Sequence, residues 1–194
     1  MKAHFYLLTT LLVTLPALSS DFMQKGTITD LLACEPDGYA VLDTVTGDLN
    51  RDDYRDMIIV YKQTAEEDSS DVTDPALRPL LIYTGNQTDS LALVARNDKA
   101  VYCYHCGGVF GDPFSRIVIK NGYFTVEHYG GSNWRWTRFV TFKYSSRDST
   151  WHLHRDGGES YHTSDPDKVT ETMKTVKDFG TVAFEEFDIY KEEE

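Results

Sequence analysis

From Tyr39 to His154 the chain is a succession of short runs, β-branched or aromatic, cut every few residues by Gly, Pro, Asn or Asp. No run there is long enough for a helix of ordinary length, so this part of the chain can fold only by pairing strands. The runs are YAVLDTV, DMIIVYK, RPLLIYTG, SLALVAR, SRIVIK, YFTVEHY, RFVTFKYS and TWHLH. Asn121-Gly122 separates two of them and is the strongest short hairpin signal, because a type I′ turn needs two residues that tolerate positive φ. The expected class is mainly β, one domain of meandering antiparallel hairpins. A short N-terminal helix capped by Thr27, with Leu31 and Leu32 turned inward, is expected before the break at EPDG. A short C-terminal helix is expected from the spacing of Val169, Met173 and Val176, followed by a last strand over TVAFEEFDIY.

The first twenty residues, MKAHFYLLTTLLVTLPALSS, pair Lys2 with an apolar core from Phe5 to Leu15 and small residues at Ala17, Ser19 and Ser20. That is the pattern of a secretory signal peptide, cleaved near Ser19 or Ser20 and leaving a secreted or periplasmic protein. Residues 21–194 then make one β-rich domain, with an acidic, Ser/Thr-rich segment at 63–76 that reads as a mobile loop and a charged tail at 191–194. No later run is long enough for a membrane-spanning helix. Against 19 Lys and Arg stand 31 Asp and Glu, a formal charge of -12. Such a surface repels nucleic acid and favours cations or basic partners.

In GDLNRDDYRD, oxygen-bearing side chains at Asp48, Asn50, Asp52 and Asp56, with the Tyr54 carbonyl between, have the spacing of a loop that wraps a hard cation. Together with RPLLIYTG, this stretch resembles a single calcium-loop unit of the FG-GAP/VCBS type. That resemblance implies Ca²⁺ as a structural cofactor, with Asp48, Asn50, Asp52 and Asp56 as side-chain ligands and Tyr54 as a backbone ligand. Asp53 stands where the pattern prefers Gly, and Asp takes the left-handed conformation at modest cost. The competing reading is an Asx turn in which the same side chains cap backbone amides. The chain also resembles a set of secreted bacterial proteins that pair GDLN with CGG..GDPF and GGS.WRW motifs, a likeness that implies no activity.

Cys34, Cys103 and Cys106 enter an oxidising compartment, where one disulfide and one spare thiol are expected, either Cys103 to Cys106 or Cys34 to one of them. A zinc site would need Cys103, His105 and Cys106 to meet His152 and His154, and nothing in the spacing brings them together. Trp134, Trp136 and Arg138 alternate onto one strand face with Arg135 opposite; exposed, they suit a sugar ring or a basic peptide, and buried, they anchor a core. Either this strand or the Gly107 to Phe114 loop is the candidate contact surface for a protein or glycan partner. The leading functional expectation is a binding role. The alternatives are an envelope enzyme acting on a glycan or peptide through Asp112, Glu127 or His128, and an inhibitor or immunity-type protein for a basic partner.

Overall fold

A computed structural model describes residues 22–69 and 72–191, so the expected signal segment and the end of the charged tail lie outside the described residues. Among the described residues, ten strands form two five-stranded antiparallel sheets. In the first, β2 (Tyr39–Gly47), β3 (Asp56–Gln63), β4 (Leu80–Thr84) and β5 (Leu91–Asn97) pair in sequence, and the two-residue β1 (Lys25–Gly26) returns to the outer edge of β5. The second is a pure meander of β6 (Phe114–Lys120), β7 (Tyr123–Gly131), β8 (Trp134–Ser145), β9 (Thr150–His162) and β10 (Asp165–Thr175).

The unbroken apolar run of β3 is explained by burial on both faces. Ile58 and Val60 face the second sheet, while Met57, Ile59 and Tyr61 pack with Phe22, Leu31, Tyr83 and Leu91 on the far side. A strand covered on both faces loses the polar alternation of a half-exposed one. The inter-sheet core joins Ile58, Val60, Leu80 and Ile82 to Phe124, Val126, Val140, Phe142 and Trp151. Each such side chain contributes roughly 1.5–3 kcal/mol by leaving water.

The sheets abut at β2 and β6, where Asp43 accepts from the Ile117 amide and Ile119 lies against Gly47. Elsewhere the C-terminal segment closes the gap. Asn97 Nδ2 donates to the carbonyls of Phe184 and Phe187, the Leu153 amide donates to Val182, and Phe184 sits edge-on between Phe124 and Phe142.

Several local expectations hold. Thr27 caps α1 (Ile28–Ala33) in a box with Asp30, and Leu31 is buried, although Leu32 is exposed. Asn121 and Gly122 both take positive φ, at 55° and 77°, in the tight β6–β7 turn. Three expectations are corrected. The C-terminal helix shrinks to the single turn α3 (Val176–Phe179), because Val169 and Met173 belong to β10. Those residues, with Val176, are exposed, so their helical spacing marks no buried stripe, and the β-branched Val169, Thr170 and Thr172 suit the ladder that β9 offers. The last segment is a 3-10 turn at Phe184–Glu186 flanked by extended chain, and its ladder with β9 is a single bridge from Ala183 to His152. The acidic segment is not all loop: Gln63 ends β3, and α2 (Glu66–Ser69) carries a buried Glu66.

Candidate functional site

The acidic loop begins as β2 ends. Asp48 accepts from the amides of Arg51 (2.6 Å), Asp52 (3.3 Å) and Asp53 (3.4 Å), and Asp52 accepts from the Tyr54 amide (2.9 Å) and the Asn50 carboxamide (2.8 Å). Asp53 adopts φ 67°, the left-handed conformation that the Gly position of the pattern requires. Asp56 is fully buried, with one carboxylate oxygen taking the Leu49 amide (2.7 Å) and the other the Gly85 amide (2.9 Å). Negative charge is thus placed beside a buried strand because Asp56 staples the loop to the end of β4. Burial raises its pKa, the two amides oppose that, and Asp52 and Asp48 add repulsion. Leu49 drops into the core, its carbonyl bonded by Trp151, while Arg51 reaches the Asn121 carbonyl at the β6–β7 turn. The loop is therefore a joint between the sheets. Among the described residues, no group of three or more His, Cys, Asp or Glu is placed to hold a metal ion.

After β5 the chain turns through the disulfide of Cys103 with Cys106, whose Cα atoms are 5.2 Å apart, leaving Cys34 as an exposed free thiol. The bonded pair brackets a 3-10 turn, Tyr104–Gly107, with Cys103 as its N-cap and Cys106 within it, rather than opening an α-helix of the redox-active kind. His105 bonds the Glu67 carbonyl, and His152 pairs with Asp148, so the histidines and cysteines do not converge.

Beneath that turn lies a side chain that sequence reasoning missed. Arg78, entirely buried, sends Nε and Nη2 to Glu66, Nη1 and Nη2 to Asp112, and Nη1 to the Tyr102 carbonyl. All five guanidinium hydrogens are satisfied. Although burial works against the charge, the bonds to Glu66 and Asp112 raise its pKa further. The only hint in the sequence was an Arg opening the apolar run RPLLIY, where a solvent-facing residue is the ordinary choice.

The candidate enzymic residues are each engaged by different partners. Asp112 is clamped by Arg78, Glu127 pairs with Arg116 (2.8 Å), and His128, its neighbour on β7, points the other way into the interior. His128 Nε2 accepts from the Tyr102 amide (3.3 Å), which puts the proton on Nδ1. Burial, with Arg138 and Arg78 nearby, pulls its pKa down to about 3. Opposite it on β8, Arg138 forms a fork with Asp156 (2.9 and 2.6 Å) and also donates to the Tyr102 hydroxyl and the Ile189 carbonyl.

The tryptophans split. Trp134 is 60% exposed with its ring edge-on to His162, whereas Trp136 is half-buried, edge-on to Tyr102 and tight against Gly130. On the opposite face the structure brings together the two segments that the sequence offered as alternative contact surfaces. The Arg135 guanidinium lies 4.0 Å from the Phe110 ring centroid, and Phe110 packs on Tyr129 at 5.6 Å. Gly108 and Gly131 make this possible: they bridge at positive φ, and a Cβ on Gly108 would stand 3.1 Å from the Gly131 carbonyl oxygen. Val109, at 82% exposed, and Phe110, at 47%, cap the tip.

None of the described helices is long and apolar enough to cross a membrane. No protein-family model matches the chain, and no curated protein matches it significantly.

Proposed function

We propose that this is a secreted or periplasmic binding protein that engages a protein partner through the tip of its second sheet. The carrying observation is the stacking of Arg135 on Phe110, which turns two separate segments into one exposed aromatic surface with Val109 and Tyr129. Rigid aromatic and Arg side chains are the types that dominate binding energy at interfaces, and exposed apolar side chains of this size are otherwise a liability. Carried on a hairpin held by a disulfide and by Asp112 on Arg78, the surface is pre-organised. The test is chemical cross-linking in envelope extracts with wild type and with Val109→Ser/Phe110→Ser. A defined cross-linked species lost in the variant supports the reading; one retained at the same yield overturns it.

The acidic loop belongs to the same reading as a Ca²⁺ site that stabilises the inter-sheet joint, supported by the repulsion that Asp52 and Asp48 exert on the buried Asp56. A cation bound only by the folded state raises its melting temperature. Thermal unfolding in Ca²⁺ and in chelator is expected to differ for wild type and to coincide for Asp48→Ala/Asp52→Ala. Identical wild-type melting at millimolar Ca²⁺ leaves the loop a capped turn.

A further inference from the structure

The inner face of the second sheet changes character along its strands. Facing pairs Phe124/Phe142 and Val126/Val140 are apolar and covered, and the next pairs in register, His128/Arg138 and Gly130/Trp136, are polar or aromatic. Past the point where Ile189 meets Arg138, the face forms a cleft of about 450 Å³. That volume lies within the range of about 300–1,000 Å³ usual for small-molecule sites. Trp136 and Tyr102 line it, ring centroids 5.9 Å apart at 69°, together with the Arg138–Asp156 pair, Thr172 and two lysines, Lys174 and Lys191.

The polar groups are fixed in advance. Arg138 is held by Asp156, the Tyr102 hydroxyl and the Ile189 carbonyl at once, so neither partner of the ion pair must be ordered when a ligand arrives. Each Asp156 oxygen accepts one guanidinium hydrogen and keeps further acceptor capacity. Two glycines of the lining are demanded by the backbone, since a Cβ on Gly158 would run into the Thr137 carbonyl and one on Gly157 into that of Thr172. They leave β9 without side chains at that point.

An aromatic wall beside a fixed carboxylate, a guanidinium, a hydroxyl and the ammonium groups of Lys174 and Lys191 calls for a ligand with one flat apolar face and a rim that accepts and donates. A purely apolar ligand would strand the Arg138–Asp156 pair out of water, and a simple anion would leave the Trp136 wall unused and meet Asp156. We infer that this cleft binds a saccharide, one pyranose ring stacked on Trp136 with neighbouring hydroxyls bonded to Asp156 and Thr172. The site is separate from the aromatic tip, which lies on the other face of β8, so either assignment stands without the other.

The experiment is calorimetric and tryptophan-fluorescence titration of the folded protein with glucose, galactose, N-acetylglucosamine, chitobiose and glucuronate, with inorganic phosphate as a control. At least one neutral saccharide is expected to saturate with a Kd below about 10 mM. Trp136→Ala and Thr172→Val should each weaken it about tenfold or more while thermal unfolding shows both variants folded, and Trp134→Ala should leave it within about twofold. Absence of saturation by every sugar overturns the assignment, as does a loss that follows Trp134 instead of Trp136. Binding of phosphate and glucuronate alone, with no neutral sugar competing, overturns it in favour of an anion site.

Discussion

Arg78 and Arg138 form almost the same chemical group twice. Each forks onto a carboxylate, each bonds Tyr102, one through its carbonyl and the other through its hydroxyl, and both lower the pKa of the same histidine. They differ in what surrounds them. Arg78 has no exposed side-chain surface and no unused hydrogen, while the Arg138 side chain is 26% exposed at the edge of a cleft. A saturated, enclosed ion pair specifies how segments meet and has nothing left to offer a ligand. One side of the other pair is open, and there the same geometry becomes a recognition element.

Breaking the enclosed pair should have the largest effect. Arg78→Met leaves Glu66 buried without a counter-charge and is expected to destabilise the protein by about 3–5 kcal/mol in urea unfolding. Adding Glu66→Leu should recover part of that loss, because the stranded charge goes with it.

Acid tests the histidine between the two arginines. The His128 pKa is about 3 in the folded protein and about 6.5 when unfolded, so the unfolded chain takes up the proton first. Its contribution to stability is complete above about pH 6.5 and is lost as pH falls toward 3, at up to about 1.4 kcal/mol per pH unit. Urea midpoints between about pH 6.5 and 5, above most carboxylate titrations, should fall in wild type and flatten in His128→Gln.

Arg138→Met should cost less than Arg78→Met, about 1–3 kcal/mol, since Asp156 lies beside the cleft and water can reach it. The same urea titration ranks the two. At the bottom of the scale, Arg116 with Glu127 has the geometry of a good pair at 2.8 Å, yet Arg116 is 67% exposed. Arg116→Ala should change stability by less than about 0.5 kcal/mol, and a larger loss would mean that enclosure is not what separates the arginines.

What the sequence disclosed follows the same divide between local and distant causes. The β-class, the Asn121-Gly122 turn, the Thr27 cap and the left-handed Asp53 are set by neighbours in the chain and are legible there. Glu66, Arg78 and Asp112 lie up to 46 positions apart, and no spacing rule links them. The Val169, Met173, Val176 spacing misled because periodicity states which residues share a helix face, not whether anything covers that face. The tryptophans were ambiguous for a related reason: alternation placed Trp134 and Trp136 on one strand face, and only tertiary packing at Gly130 and Tyr102 buries one more than the other. The union of Arg135 with Phe110 required a bridge between Gly108 and Gly131, 23 residues apart.

The segment from Val182 to Tyr190 has a kinetic meaning. In the second sheet every strand pairs with its neighbour in sequence, so its hairpins can form through short loop closures as the chain lengthens. The bonds of Asn97 to Phe184 and Phe187 span 87 and 90 residues and join the two sheets through the segment that follows β10 and α3. Closure is thus the slow, long-range step, and before it the faces of Phe124 and Phe142 that Phe184 covers stand open to other chains. The stretch from Val182 to Tyr190 thus sets how long the folding protein remains exposed to aggregation.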